Sequence, residues 1–594
     1  MGMKASYCIG IDLGTTNSVL AFAPMEDAEA MIAVLPIPQL VAPGSVENRL
    51  SLPSFLFIPP AMDPSLEVPG IGTGAWVIGE YARRISAEQP ERVVAAAKSW
   101  LCNTQVDRQS PILPWQSDAP IELVSPVTAS AAFLSYLIAA WTKRFPDAPF
   151  AQQKVVLTVP ASFDEAAREL TRHAALSVGF PDDFVFLEEP QAALYNWVHA
   201  RGDLWRKELQ RGDLLLVCDV GGGTTDLTLV RVDEDHGGLS LNRLAVGNHL
   251  LVGGDNMDLA LAHVASELFK QKGAKLNAWQ SLSLWHSCRT AKEKLLGRSA
   301  PESYPLTLLG RGSKLIGGTI STQLDRETVE ATLVDGFFPI VPTDSRPIDD
   351  AESGFQEIGL PFASDSAITR HIAGFLQDHA GDVAGESGRG RLTHLLFNGG
   401  VFNADAFRKR MSETLAAWND DQTPPTILGG IEDLDQAVAC GACYYAWAIE
   451  HGGIRIRGGT ARSYYVGIES SGPAVPGMPR PLHALCVVSQ GMEEGTEVSV
   501  PGRPIGIKVG QKARFRFFSS TTRREDKPGS LLRGWDEGEL VETSPMELEL
   551  PKEGSESIVP VNFLSRITEL GVFELSCQST RNENRWKLAM NVRE

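Results

Sequence analysis

The chain has 594 residues, 43% hydrophobic and 21% charged, with a formal net charge of −19. That length exceeds one hydrophobic core, so two or more domains are expected, and the acidic balance excludes a general nucleic-acid or anionic-membrane surface. No apolar run approaches the ~20 residues a membrane span needs, and eight cysteines in so long a chain make no disulfide framework, so a reducing cytoplasm is the expected setting.

In chain order, "YCIGIDLGTTNSVLAFA" from Tyr7 reads as strand, glycine turn, strand. "VVAAAKSWL" puts Lys98 on a helix, and spacing alone assigns it to the surface. "KVVLTVPASF" is a strand stopping at Pro160, followed by "DEAARELTRHAALSVGF", a helix of apolar residues at helical spacing closed by Gly179. "FVFLEEPQAALYNWV" repeats the strand–turn–helix scheme, and "LLLVCDVGGGTTDLTLV" is again strand, glycine turn, strand. Residues 340–366 read as an exposed loop insertion. "THLLFNGGVFNADAFRKRMSETL" turns from strand to helix at Gly399-Gly400, and "LDQAVACGACYYAWAIE" is a long helix beginning near Asp435. Its Cys440 and Cys443 have C-x-x-C spacing, but no second Cys pair or Cys/His pair answers them. They are expected as small buried residues and not as a redox or zinc site.

Alternating strands and helices up to residue 452 imply α/β layers. Residues 453–463, rich in glycine and arginine, read as a linker. From Tyr464 to Glu594, short period-two runs such as "LCVVSQ", "SIVPVNF" and "VFELSC" lie between Gly, Pro and Asp turns, which predicts an all-β sandwich. The arginine-rich stretch "SSTTRREDKPGSLLRGWDEGE" within it reads as a solvated loop.

The informative feature is a repeat. "GIDLGTTNS" and "VCDVGGGTTDLT" share a strand, an aspartate, a glycine turn, a Thr-Thr pair and a second strand. Each predicts a hairpin whose turn presents backbone N–H groups and threonine hydroxyls, with glycine where a Cβ would block close approach. Two such hairpins facing each other form a clamp for a polyphosphate. Asp12 and Asp219, at the strand ends, would hold Mg²⁺ through its water shell, because Mg²⁺ keeps waters and takes few carboxylates. No GxxxxGK[ST] motif is present, and the turns lead to strands, so this is not a Walker P-loop.

Taken in order, "GIDLGTTNS", "VPASFDEAAREL", "EEPQAALYN", "CDVGGGTTDLT", "VGGDNMD", "FNGGV" and "DLDQAVACGA" resemble the nucleotide-binding motifs of the heat shock protein 70 (DnaK-like) chaperones. The resemblance implies a duplicated, two-lobed actin-like ATPase domain over 1–452, a linker over 453–463, and a peptide-binding β-sandwich over 464–594. It further implies that Asp12, Gly14, Thr15 and Thr16 meet the β- and γ-phosphates, and that Gly221, Gly222, Gly223 and Thr224 form the second phosphate hairpin. Lys98 then positions water and the γ-phosphate, Glu189 links the lobes near the metal, and Asp219 and Asp226 orient metal and water. Gly253, Gly254, Gly399 and Gly400 line the nucleoside side, and Lys292 and Asp435 approach the ribose. ATP or ADP with Mg²⁺, an unfolded or dedicated client, and a J-type co-chaperone or exchange factor are the implied partners.

Three departures accompany the resemblance. The family's E-x-x-K-R helix over adenine appears here as Arg289, Lys292 and Glu293, an exchange of charges expected to rebuild the site in part. The linker offers only Ile454 and Ile456 between arginines where the family has an acidic-apolar segment. The sequence given ends at Glu594 directly after the β module, so a lidless client site is expected. Three functions follow: an ATP-driven chaperone; a nucleotide-binding co-chaperone or partner-specific regulator with weak or no ATPase; and, disfavoured by Lys98, Glu189 and the appended β module, a small-molecule kinase.

Overall fold

The strand Leu214–Val220 is buried along its whole length, as expected of a strand covered on both faces. It pairs antiparallel with Thr225–Asp235 across the second glycine turn and parallel with His394–Asn398. His394–Asn398 pairs parallel in turn with Thr426–Ile427. The first glycine hairpin is built the same way. Tyr7–Leu13 pairs antiparallel with Asn17–Pro24 and parallel with Lys154–Val159, which pairs parallel with Val185–Glu188. The sequence repeat is therefore a repeat of sheet topology. The computed structural model describes residues 5–591 except 28, 73, 104, 162, 236–237, 248–249, 298, 309–318, 349–359, 361, 380–390, 420–421, 431–432, 453–455, 458–459, 461, 470–480, 491, 493–494, 521–522, 524, 537–538, 544–545, 553–556 and 569–571.

Local signals place the helices where the sequence puts them. Helix Glu165–Ser177 starts at Asp164, whose side chain accepts from the Ala167 N–H, and the chain leaves it through Gly179 at φ +96°. Helix Glu189–Arg201 carries Pro190 in its first turn, where no N–H is needed. Helix Leu434–His451 is capped by Asp433 and closed by Gly452 in the left-handed region. Within it Cys443 is buried and Cys440 half-buried, and both are free thiols.

This last helix crosses its neighbours without clearance. A Cβ on Gly441 would lie 1.7 Å from the Ala192 carbonyl oxygen of helix Glu189–Arg201. A Cβ on Gly10, in the first strand, would lie 2.2 Å from the Ala439 oxygen and 2.3 Å from the Cys443 nitrogen. Backbone meets backbone at both crossings, so neither can yield by turning a side chain.

The chain divides into two compact units, Met1–Arg455 and Ile456–Glu594. The second contains no helix among its described residues. One of its sheets runs in the order Leu531–Leu532, Leu482–Val488, Ser463–Glu469, Phe517–Ser520, Val541–Glu542. Another pairs Thr496–Ser499 and Ile505–Lys508 with Ile558–Ile567, followed by Val572–Ser579 and Arg585–Asn591. Val466, Val487 and Phe517 of the former share one core with Val561, Phe573 and Leu575 of the latter. The arginine-rich loop is tied down: Arg523 pairs with Asp526 at 2.7 Å, and Tyr465 Oη donates to the same carboxylate at 2.7 Å. Most of the expected linker, Ile454 included, and residues 349–359 of the expected insertion lie outside the described residues.

Gly441→Ala should destabilise the first unit by about 3 kcal/mol, as overpacking against fixed backbone does. Gly336→Ala, on a helix where a Cβ meets nothing within 4 Å, should be neutral or stabilise by about 1 kcal/mol. Urea unfolding of the two variants tests the contrast.

Candidate functional site

Both glycine turns open on one cleft of about 480 Å³, a size suited to a small-molecule ligand. The turns touch. A Cβ on Gly222 would lie 2.0 Å from Thr16 Oγ1, and one on Gly223 would lie 2.5 Å from Ser99 Oγ and 3.2 Å from Thr15 Cγ2. The first turn is braced by Ser54, whose hydroxyl donates to the Gly14 carbonyl at 2.7 Å. In the second, the Gly221 N–H donates to the Thr224 carbonyl at 2.9 Å. Helix Gly254–Gln271 hangs from this second turn: the Gly254 and Asp255 N–H groups donate to the Gly221 and Gly222 carbonyls at 3.0 and 2.7 Å. A Cβ on Gly253 would strike the Gly222 oxygen at 2.7 Å, which explains glycine at that position.

The two turn aspartates have matched supports. Asp12 lies beside Thr158 in the parallel register, and Thr158 Oγ1 donates to Asp12 Oδ1 at 3.2 Å. Asp219 lies beside Asn398, whose Nδ2 donates to Asp219 Oδ2 at 2.7 Å. Gly399, at φ +84°, leaves the space that a Cβ would take 2.6 Å from Asp219 Oδ1.

Lys98 is buried and forms an ion pair with Glu189. The surface position that spacing assigns to this lysine is thus wrong. Helix Ala97–Leu101 is buried at all five positions, so it is enclosed on every side and has no exposed face for a lysine. Burial works against the Lys98 ammonium, but Glu189 and Asp12 outweigh it and hold its pKa above the ordinary lysine value. The carboxylates around it are crowded. Burial, with Glu189 adding to it, pushes Asp12 up to about 7. Burial and the nearby Asp226 raise Glu189 despite its partner, and burial, Glu189 and Asp226 raise Asp219 well above the usual range. This surplus of buried negative charge fits a divalent cation. Among the described residues no three Asp, Glu, His or Cys side chains converge on a point, so the donor set suits a hydrated Mg²⁺ and not a dehydrated cage.

Of the residues proposed from the sequence, Asp12, Gly14, Thr15, Thr16, Lys98, Glu189, Asp219, Gly221, Gly222, Thr224, Gly254, Lys292, Gly399, Gly400 and Asp435 line this cleft. Gly223, Asp226 and Gly253 do not. Gly223 and Gly253 pack behind the turns, and Asp226 faces Asp219 across the hairpin register. Sequence reasoning missed Asn398, Asp255, Asp258 and Arg83, all of which line the cleft. Asn398 stood inside the quoted "FNGGV" and only its glycines were read.

Arg289, Lys292 and Glu293, the positions of the expected charge exchange, all line the cleft. Arg289 is buried and paired with Asp255, and its Nε lies 2.8 Å from Asp258. Lys292 holds the other Asp258 oxygen at 2.6 Å and donates to the Gly254 carbonyl at 2.8 Å. Glu293 instead meets Arg83, from helix Glu80–Ile85, at 3.3 Å. Glu293 and Arg289, four apart on one helix face, take different direct partners, yet the Glu293 charge still acts on Arg289.

A family model described as "Hsp70 protein" matches residues 73–359. That match is to just under half of the chain. The chain is 29% identical over 321 residues to the "Chaperone protein HscA homolog" of Methylococcus capsulatus, covering 52% of this chain and 44% of the relative. It is 30% identical over 272 residues to the "Chaperone protein DnaK" of Metamycoplasma hominis, covering 46% and 37%. The matched region thus spans less than half the length of these curated relatives. No helix among the described residues is long and apolar enough to cross a membrane.

Two expectations follow. An unfolded chain releases the Asp12 proton near 3.8, whereas the folded, ligand-free protein keeps it to about 7. This group's stabilising contribution is therefore complete below the lower value and is lost as pH rises through the upper one. Urea unfolding of wild type should lose stability from about pH 5 to about pH 7.5 more steeply than Asp12→Asn. Arg289→Met should cost about 3–5 kcal/mol by leaving Asp255 buried without its cation. The double variant Arg289→Glu, Glu293→Arg should be less stable still, seen as a lowered melting temperature.

Proposed function

We propose that this protein, as a member of the Hsp70 family, binds ATP with Mg²⁺, hydrolyses it slowly, and uses the nucleotide state to control a client segment on the β-rich unit beyond residue 464. The observation that carries the reading is the contact of two glycine turns beside a buried lysine–glutamate pair. A polyphosphate entering between Gly14–Thr16 and Gly221–Thr224 meets backbone N–H groups and hydroxyls from both sides. Asp12 and Asp219 would hold the cation through its waters, and the bound cation would supply charge neutralisation at the phosphates. Lys98, fixed by Glu189, stands to orient the terminal phosphoryl and the attacking water, while Thr224 offers that water a hydrogen bond. Hydrolysis then needs placement and charge neutralisation and little covalent work from the protein.

The β-rich unit, a sandwich in this reading, would take an unfolded or dedicated protein client. A J-type co-chaperone or exchange factor would serve as regulator. The second reading, a partner-specific co-chaperone in which nucleotide is a slow switch or structural ligand, draws support from Arg289. A guanidinium locked to Asp255 and Asp258 is not available to a base, and Glu293 is no substitute for one.

Thr224→Val and Asp219→Asn should each lower single-turnover ATP hydrolysis at least tenfold (about 1.4 kcal/mol) while ADP affinity by calorimetry changes far less. Equal losses in both would remove these residues from the proposed roles. Unfolded peptide should accelerate hydrolysis in the chaperone reading and leave it unchanged in the co-chaperone reading.

A further inference from the structure

The two lobes treat their turn aspartates alike except for one atom. In the first, Thr158 donates to Asp12 and also lies 3.3 Å from the Ile11 carbonyl. In the second, Asn398 is 1% exposed and spends its Nδ2 on Asp219, while its Oδ1 is buried with no hydrogen-bond partner among the described residues. Asn398 lines the cleft. A buried amide oxygen left unsatisfied costs about 1–3 kcal/mol, and a leucine of similar size would avoid that cost.

The amide's orientation follows from its neighbour. An ionised Asp219 only accepts, so the NH₂ group must face it and the oxygen must face away. What the spare oxygen can use is a donor. A water bound to a divalent cation is a strong donor and, with its electron density drawn to the metal, a poor acceptor.

We propose that Asn398 is a positioning residue for the hydrated cation: its Nδ2 orients Asp219 and its Oδ1 accepts from a metal-bound water. This rests on the reading of the cleft as a Mg²⁺–nucleotide site. It assigns the cation's outer hydrogen bonds unequally, with the second lobe supplying one more acceptor than the first. Outer-shell groups of this kind change metal affinity by about 10–100-fold.

The test is a Mg²⁺ titration of the full chain with saturating ADP, followed by melting temperature, with EDTA as the zero point. Wild type should show ADP-linked stabilisation that saturates with Mg²⁺. Asn398→Leu should need at least about tenfold more Mg²⁺ for half of that effect, with its EDTA value unchanged or higher relative to wild type. Should Asn398→Leu fail to fold, Asn398→Thr keeps a donor to Asp219, as Thr158 does for Asp12, and withdraws the spare oxygen; it should show the same shift. Equal half-saturation in wild type and variant overturns the proposal alone. A wild type indifferent to both ADP and Mg²⁺ overturns the nucleotide reading and this proposal with it.

Discussion

Backbone contact at glycine sets the dimensions of the first unit. Helix Leu434–His451 packs against the strands of the first sheet, and helix Glu189–Arg201 leads from that sheet to pack on strands of the second. Where these two helices cross, Gly441 lies against the Ala192 carbonyl, and where the first meets its sheet, Gly10 lies against Ala439 and Cys443. A contact between main chains has no softer state to relax into, since interiors pack at crystal-like density. These contacts let the helices lie close to one another and to the first sheet, and the two turns meet at Gly222 and Thr16.

From that meeting comes the electrostatics. Two aspartates arrive from opposite sheets, each at the end of a central strand, and Lys98 and Glu189 close the group from the first lobe. Burial penalises every carboxylate in it, and each raises its neighbours further. In the ligand-free fold this is stored cost, of the kind that gathers where a protein binds a cation or a polyanion–cation pair. The stability of the unit and its proposed chemistry thus draw on the same residues in opposite directions.

The cleft wall around Arg289 and Lys292 is held by ion pairs between two helices. Asp255 and Asp258 form a buried acidic pair on helix Gly254–Gln271, and Arg289 and Lys292 answer it from Ala278–Leu295. The Arg289 guanidinium helps to hold the two helices together. The remaining acid, Glu293, then takes its cation from Arg83 across the cleft.

The sequence by itself determined the duplicated strand–glycine–strand plan, the helix after each parallel strand and the period-two texture beyond Tyr464. These depend on local chemistry: turn geometry, caps and the alternation of apolar residues. It also placed Asp12 and Asp219 at equivalent points, because a repeat carries its own alignment. Lys98 was not legible from spacing, since whether a helical lysine is buried depends on a glutamate ninety-one positions away. Asn398, Asp255 and Asp258 stand inside quoted motifs, but their partners were not legible for the same reason. Only the tertiary structure decided them, because hydrogen bonds and ion pairs between strands and helices distant in sequence are chosen by register and by the angle of packing, which no short stretch of residues specifies alone.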